Sequence, residues 1–124
     1  MITGKVRDNE AVVRLRIMAA LGTPREIEAV IDTGFTSSLS LPLSLVSLLN
    51  LPWLSQDRAV LGDGSVCLFH IHEAVVEWDG TRQTVQVHAS DSEPLVGMEL
   101  LHGFELNLKV KQGGKVTIKR LPKR

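Results

Sequence analysis

Ala29-Val30-Ile31-Asp32-Thr33-Gly34 is the stretch on which the fold turns. It sets a carboxylate at the end of an apolar strand, then a small hydroxyl residue, then a glycine. An acid backed by Val30 and Ile31 is partly desolvated, which disfavours its charged form unless donors surround it. Gly34 lets the backbone turn sharply and bring an N–H back toward that carboxylate, and Thr33 adds a hydroxyl donor. Taken alone the tripeptide is ordinary turn chemistry. What lies on either side decides whether it is more.

Upstream, Val13, Leu15, Ile17, Ala19 and Leu21 alternate with a partly charged set, the period-two pattern of a half-buried strand. Gly22-Thr23-Pro24-Arg25 reads as a turn, and residues 27–31 as the return strand of a hairpin. Downstream, Phe104, Leu106, Leu108 and Val110 alternate with polar residues. Gly113-Gly114 then turns the chain into a last strand at Val116-Thr117-Ile118. Only two segments have helical character. Residues 42–49 place Leu43, Val46 and Leu49 three apart behind a Pro allowed in the first turn. Residues 98–102 make about one turn, closed by Gly103. The expected class is all-β with one or two short helices.

The run from Val66 to Trp78 changes its apolar face partway. Cys67, Phe69 and Ile71 favour one side and Ala74, Val76 and Trp78 the other. A strand cannot do this without a bulge, a bend or a change of surroundings. Ahead of it, Gly62, Asp63, Gly64 and Ser65 form a tight tip. Residues 58–72 therefore read as a hairpin projecting from the body. There is also an internal echo. One hairpin turns at Gly22 and runs to Ile31-Asp32-Thr33-Gly34 and a helix; another turns at Asp79-Gly80 and runs to Leu95-Val96-Gly97 and a helix.

The chain has 124 residues, so residues 1–124 are expected to form a single domain. Its 14 basic and 14 acidic residues balance, which argues against a nucleic-acid partner. With 44% hydrophobic residues and no Tyr, the core must be aliphatic. One cysteine forms neither an intramolecular disulfide nor a thiolate zinc cluster. Neither a signal-peptide pattern nor an apolar run of membrane-spanning length is present, so the expected setting is cytoplasmic, with no membrane partner.

The ordered set of Val30-Ile31-Asp32-Thr33-Gly34, a helix, a Gly-tipped hairpin, and Leu95-Val96-Gly97 before Met98-Glu99-Leu100-Leu101 resembles the retropepsin-like aspartic proteases, across nearly the whole chain. The resemblance implies a closed acid-protease barrel in which Asp32 is catalytic, with Thr33 and Gly34 supporting the site. Thr33 matches the residue whose hydroxyl locks two halves of the site together. Gly62, Asp63, Gly64 and Ser65 fall where the family has its flap over substrate. Leu95, Val96 and Gly97 match the motif that supports the catalytic loop. The family's chemistry needs two carboxylates sharing one proton. This chain holds one Asp-Thr-Gly, so the resemblance implies a symmetric homodimer cleaving a peptide or protein substrate, with no cofactor and no metal. Residues 1–6 and 116–121 are the strands expected at its interface.

Two departures matter. Retroviral members follow the triplet with Ala or Ser and then Asp, and the second Gly with Arg. Here Phe35 and Thr36, and Met98, stand at those places, a variant closer to prokaryotic branches. Their joint absence suggests replacement of one polar network, since losing the Arg alone would strand a carboxylate. Phe35 is expected to fill part of the cleft beside Asp32. His70 and His72 share a strand face without a third ligand, and Cys67 reads as a small core residue. Lys109, Lys111, Lys115 and Lys119 read as a solvated sheet face. The competing function is a non-catalytic peptide-binding or assembly module that keeps the same fold and binds by strand addition.

Overall fold

Two hairpins begin the chain, and the first was not anticipated. Asp8 and Asn9 both take positive φ, 53° and 65°, so strand β1 (Ile2–Arg7) returns directly as β2 (Glu10–Met18) through a two-residue turn. The computed structural model describes residues 1–20 and 22–123. β3 (Pro24–Ile31) follows β2 antiparallel, with Met18 already opposite Pro24. The turn is therefore earlier than the sequence suggested. Ala19 N–H donates to Thr23 O at 2.8 Å, and Pro24 opens the strand, where its missing N–H is tolerated. Leu21, read as the end of the apolar face of β2, lies outside the described residues.

The chain continues through β4 (Leu39–Pro42), α1 (Leu43–Leu48), β5 (Trp53–Val60), β6 (Val66–Trp78) and β7 (Thr81–Ser90). It ends with β8 (Leu95–Val96), α2 (Met98–Leu101), β9 (Phe104–Leu108) and β10 (Lys115–Arg120). The sheet runs β5-β6-β7-β4-β8-β3-β2-β1-β10-β9, and a further β6–β2 pairing closes its middle six strands into a ring. Ile17, Leu39, Leu41, Val76, Trp78, Val87 and Val96 fill that ring, almost wholly buried. Among the described residues, no helix is long and apolar enough to cross a membrane.

The internal echo is visible in the pairing. Matching β2 with β6, β3 with β7 and β4 with β8, the antiparallel pairs β2–β6 and β4–β8 map onto themselves. The parallel pairs β3–β8 and β4–β7 map onto each other. The face change in β6 has a local cause. Trp53 opposite His72 ends the β5 ladder beside a register shift, and Val75 begins the β2 ladder opposite Met18. Ile71 is therefore buried on one side, and Ala74, Val76 and Trp78 on the other.

Three expectations need correcting. Leu43 is half exposed, and α1 packs through Val46 with Leu49 just beyond it. Cys67 is exposed, because β6 carries no second layer before Phe69. Val110 lies beyond the end of β9 and is 71% exposed. All four lysines of this end are exposed, but only Lys115 and Lys119 stand on a strand, β10; Lys109 and Lys111 lie in the turn after β9.

Candidate active site

Asp32 leaves β3 at its last pairing with β8. Four backbone bonds stitch its loop to residues 94–98. Val30 N–H donates to Pro94 O at 2.9 Å and Asp32 N–H to Val96 O at 2.9 Å. Gly97 N–H donates to Ser38 O at 3.0 Å, and Met98 N–H to Phe35 O at 2.8 Å. The structure thus brings Asp32, Thr33, Gly34 and Phe35 against Leu95, Val96 and Gly97.

The carboxylate itself is half-buried. Gly34 N–H donates to its Oδ1 at 2.9 Å, while Phe35 N–H donates to Asp32 O at 3.1 Å and closes the turn. A backbone donor fixed on one oxygen orients the group and leaves the other oxygen open for chemistry. Thr33 is exposed, and its hydroxyl makes no hydrogen bond among the described residues.

Gly97 is glycine because the loop lies directly on it. A Cβ there would sit 2.1 Å from Ser37 O, 2.6 Å from Phe35 Cδ2 and 2.7 Å from Phe35 O. The Phe35 ring continues outward, edge-on to His88 at 5.3 Å between centroids. His88 in turn stacks on Phe69 of β6 at 4.8 Å and 28°. Desolvation holds His88 below the usual imidazole range, against the opposing pull of the Asp57 and Glu99 carboxylates. On the other side of the loop, Ser38 Oγ donates to Glu99 Oε1 at 3.2 Å, tying the loop to α2. Thr36 and Met98, at the two departures from the retroviral pattern, are both exposed.

The hairpin tip is ordered from within. Asp63 Oδ1 accepts from Ser65 Oγ at 2.6 Å and from Ser65 N–H at 2.9 Å, and these donors hold its carboxyl below the ordinary range. Leu61 and Gly64 complete the turn, with Leu61 N–H donating to Ser65 O at 2.8 Å. The bonds of Gly64 and of the Asp63 and Ser65 side chains stay inside the hairpin; none ties it to Asp32. The hairpin is longer than expected, since its ladder runs from Trp53–His72 to Val60–Val66.

His70 and His72 are each engaged separately. Trp53 Nε1–H donates to His70 Nδ1 at 3.0 Å, and His72 Nδ1 lies 3.0 Å from Leu51 O. Among the described residues no three His, Cys, Asp or Glu side chains gather in a way that could hold a metal ion. Sequence reasoning missed His88, Phe69 and the Ser38–Glu99 bond. A signal for His88 existed. Val85, Val87 and Ala89 alternate as the buried face of β7, which leaves His88 on the opposite face, toward the hairpin.

The internal repeat offers no second acid at the place matching Asp32. Buried Ile27 and Ala29 in β3 correspond to buried Val85 and Val87 in β7, so Asp32 corresponds to Ser90. The Ser90 hydroxyl lies 3.0 Å from Ser40 Oγ and 2.9 Å from Ser92 Oγ. Asp91 falls one residue further on and is exposed.

No protein-family model matches the sequence, and no curated protein matches it. Among solved structures, the chain is similar to a retropepsin-like aspartic protease from Rickettsia conorii. They are 15% identical, the likeness covers 98% of this chain and 91% of that one, and the TM-score is 0.58. Ring topology, stitched Asp32 loop and structural likeness converge: the chain has an all-β, retropepsin-like aspartic-protease fold.

Proposed function

We propose that the chain is an aspartic endopeptidase, active as a symmetric homodimer with one Asp32 from each copy. The observation that carries this is the Asp32 loop. A half-buried carboxylate, oriented by the Gly34 N–H, sits on a loop fixed by four backbone bonds to residues 94–98. Such rigidity has little use in a turn and much in a catalyst, where geometry must be held before substrate arrives.

In this reading, two Asp32 carboxyls face each other across a two-fold axis and share a proton, since like charges that close resist joint ionisation. The ionised one accepts a proton from water, and the water oxygen attacks the scissile carbonyl carbon. The protonated one hydrogen-bonds the carbonyl oxygen and stabilises the tetrahedral intermediate. The intermediate collapses as the C–N bond breaks and the amine takes up a proton, leaving an acid and an amine. No metal or cofactor is required. The β5–β6 hairpin, with Gly62, Asp63, Gly64 and Ser65 at its tip, closes over the peptide. The free hydroxyl of Thr33 is available to the second copy.

The interface of such a dimer is constrained by the sheet. β1 lies between β2 and β10, and β10 between β1 and β9, so both edges of these strands are used within the chain. The open edge at this end belongs to β9, and strand addition there is the route left to a partner. The reading places the enzyme in the cytoplasm, where a lone exposed Cys67 stays reduced.

The test is Asp32→Asn against the parent protein on a mixed peptide library from acidic to neutral pH, with sedimentation run in parallel. The expected result is cleavage by a dimeric parent and its loss in the variant, with folding unchanged. Equal cleavage by both, or a parent that stays monomeric at every accessible concentration while cleaving, overturns the proposal.

A further inference from the structure

Phe35, His88 and Phe69 form one continuous row of rings. It starts on Gly97, whose place beside the backbone the Phe35 ring occupies, and ends on Phe69, midway along the β5–β6 hairpin. The three residues come from three separate parts of the fold: the Asp32 loop, β7 and β6. Each is half-buried, so the row is packed on itself and open along one side. Phe69 stands on the same hairpin face as buried Ile71 and opposite Asp57, so this face is turned toward the body.

The row therefore bridges the gap between the hairpin and the loop that holds Asp32. A peptide lying over Asp32 and beneath the hairpin must pass beside it. In the endopeptidase reading these three aromatic side chains take up space that an open subsite would leave to a substrate side chain, and packed interiors do not yield by a ring's thickness without cost. We infer that Phe35, His88 and Phe69 are specificity-determining residues. They wall the cleft beside Asp32 and restrict the substrate to peptides with a small residue, such as Gly, Ala or Ser, next to the scissile bond. The inference deepens the endopeptidase reading and rests on it.

The experiment profiles the parent, Phe35→Ala and Phe69→Ala on peptides that differ only in the residues flanking the cleaved bond, ranging from Gly to Phe. Peptide binding to Asp32→Asn is ranked by the same series. The parent is expected to favour small flanking residues. Each truncation should raise the relative kcat/KM for bulky residues by about tenfold to a hundredfold, the discrimination a few buried methylenes confer. A gain for bulky peptides is not a consequence of simple destabilisation, which would lower all rates together. Phe69→Ala, on the hairpin, guards against misfolding of the loop variant.

A parent that cuts best between bulky residues, or truncations that leave the profile flat, overturns the inference and leaves the endopeptidase reading standing. If the parent cleaves nothing, the size ranking of peptides bound by Asp32→Asn decides the inference separately. If neither cleavage nor binding occurs, both fall.

Discussion

Replacing Gly97 by Ala tests how rigidly the Asp32 loop is held. The added Cβ would meet Ser37 O at 2.1 Å and Phe35 O at 2.7 Å, both backbone atoms that cannot swing aside as a side-chain tip does. Relief requires the loop to back away from residues 96–98 by about 1 Å, and overpacking of this kind costs about 1–3 kcal/mol. The movement also strains the Gly97 N–H to Ser38 O bond of 3.0 Å and the Met98 N–H to Phe35 O bond of 2.8 Å. Each is worth about 1 kcal/mol, more if its buried groups are left unpaired. The sum is about 3–5 kcal/mol, a large share of the roughly 5–15 kcal/mol that holds a domain together. Urea unfolding at fixed protein concentration, followed by circular dichroism and Trp fluorescence, should show a lower midpoint with an unchanged slope. Gly34→Ala is the control, because its Cβ would meet only Asp32 Oδ1 at 3.2 Å. It should cost less than about 1 kcal/mol. A Gly97→Ala protein within about 1 kcal/mol of the parent, or no more affected than Gly34→Ala, would refute the close approach and the rigid loop built on it.

Trp78→Phe should stay within about 1 kcal/mol of the parent in the same urea titration, because the lost ring volume is offset by removing an indole N–H that is buried without a partner among the described residues. A loss above about 3 kcal/mol would show that the donor is satisfied. His88 titrates below its usual 6.5 because burial disfavours its charged form, so the folded state binds protons less readily than the unfolded one. Its contribution is complete above the unfolded value and is lost as pH falls from there through the folded one. His88→Phe should keep the stacked row and flatten the fall in the urea midpoint between about pH 7 and 5; parallel profiles for parent and variant would sink this account. Asp63 has a depressed carboxyl, so the order it brings to the tip is present above the ordinary carboxyl range and fades as pH falls through the folded value. Asp63→Ala should speed hydrogen exchange of the Ser65 amide at neutral pH while leaving the core amides unchanged, and an unaltered Ser65 rate would contradict it.

What could be read from the sequence was what short-range pattern encodes. Alternation located β2 and β9, the Gly-tipped hairpin stood out by its turn residues, and α1 and α2 were bounded by Asn50 and Gly103. The order of motifs around Asp32-Thr33-Gly34 carried the fold. Errors arose where a residue's surroundings depend on elements distant in sequence. Cys67 has the composition of a core position, yet no layer covers that part of β6. Leu43 keeps helical spacing, yet α1 turns it outward. The β1–β2 turn has a local signal in Asp8-Asn9, both residues that tolerate positive φ, but Asp and Asn are common in turns and loops of every kind. The row at Phe35 could not be seen from sequence. It joins residues 53 and 19 positions apart, and only the closed ring of strands brings them together.

Internal symmetry and chain number are linked by the same pairing map. The two halves exchange cleanly through β2–β6, β4–β8, β3–β8 and β4–β7, so the place for an internal second carboxylate is the matching loop of the second half. That half has Ser90 at the matching place, with its hydroxyl in contact with Ser40 and Ser92. Even a carboxylate there would point at its own β4 neighbour rather than at Asp32, because β7 pairs with β4 and not with β3. The internal two-fold builds a frame that holds one loop rigidly; it does not build a pair of acids. Chemistry that needs two acids sharing a proton must then take its second from another copy. Among the described residues the exposed Thr33 hydroxyl makes no hydrogen bond, and β9 is an open edge of the sheet, as β5 is at the other end, so both offer polar groups that such a copy could meet.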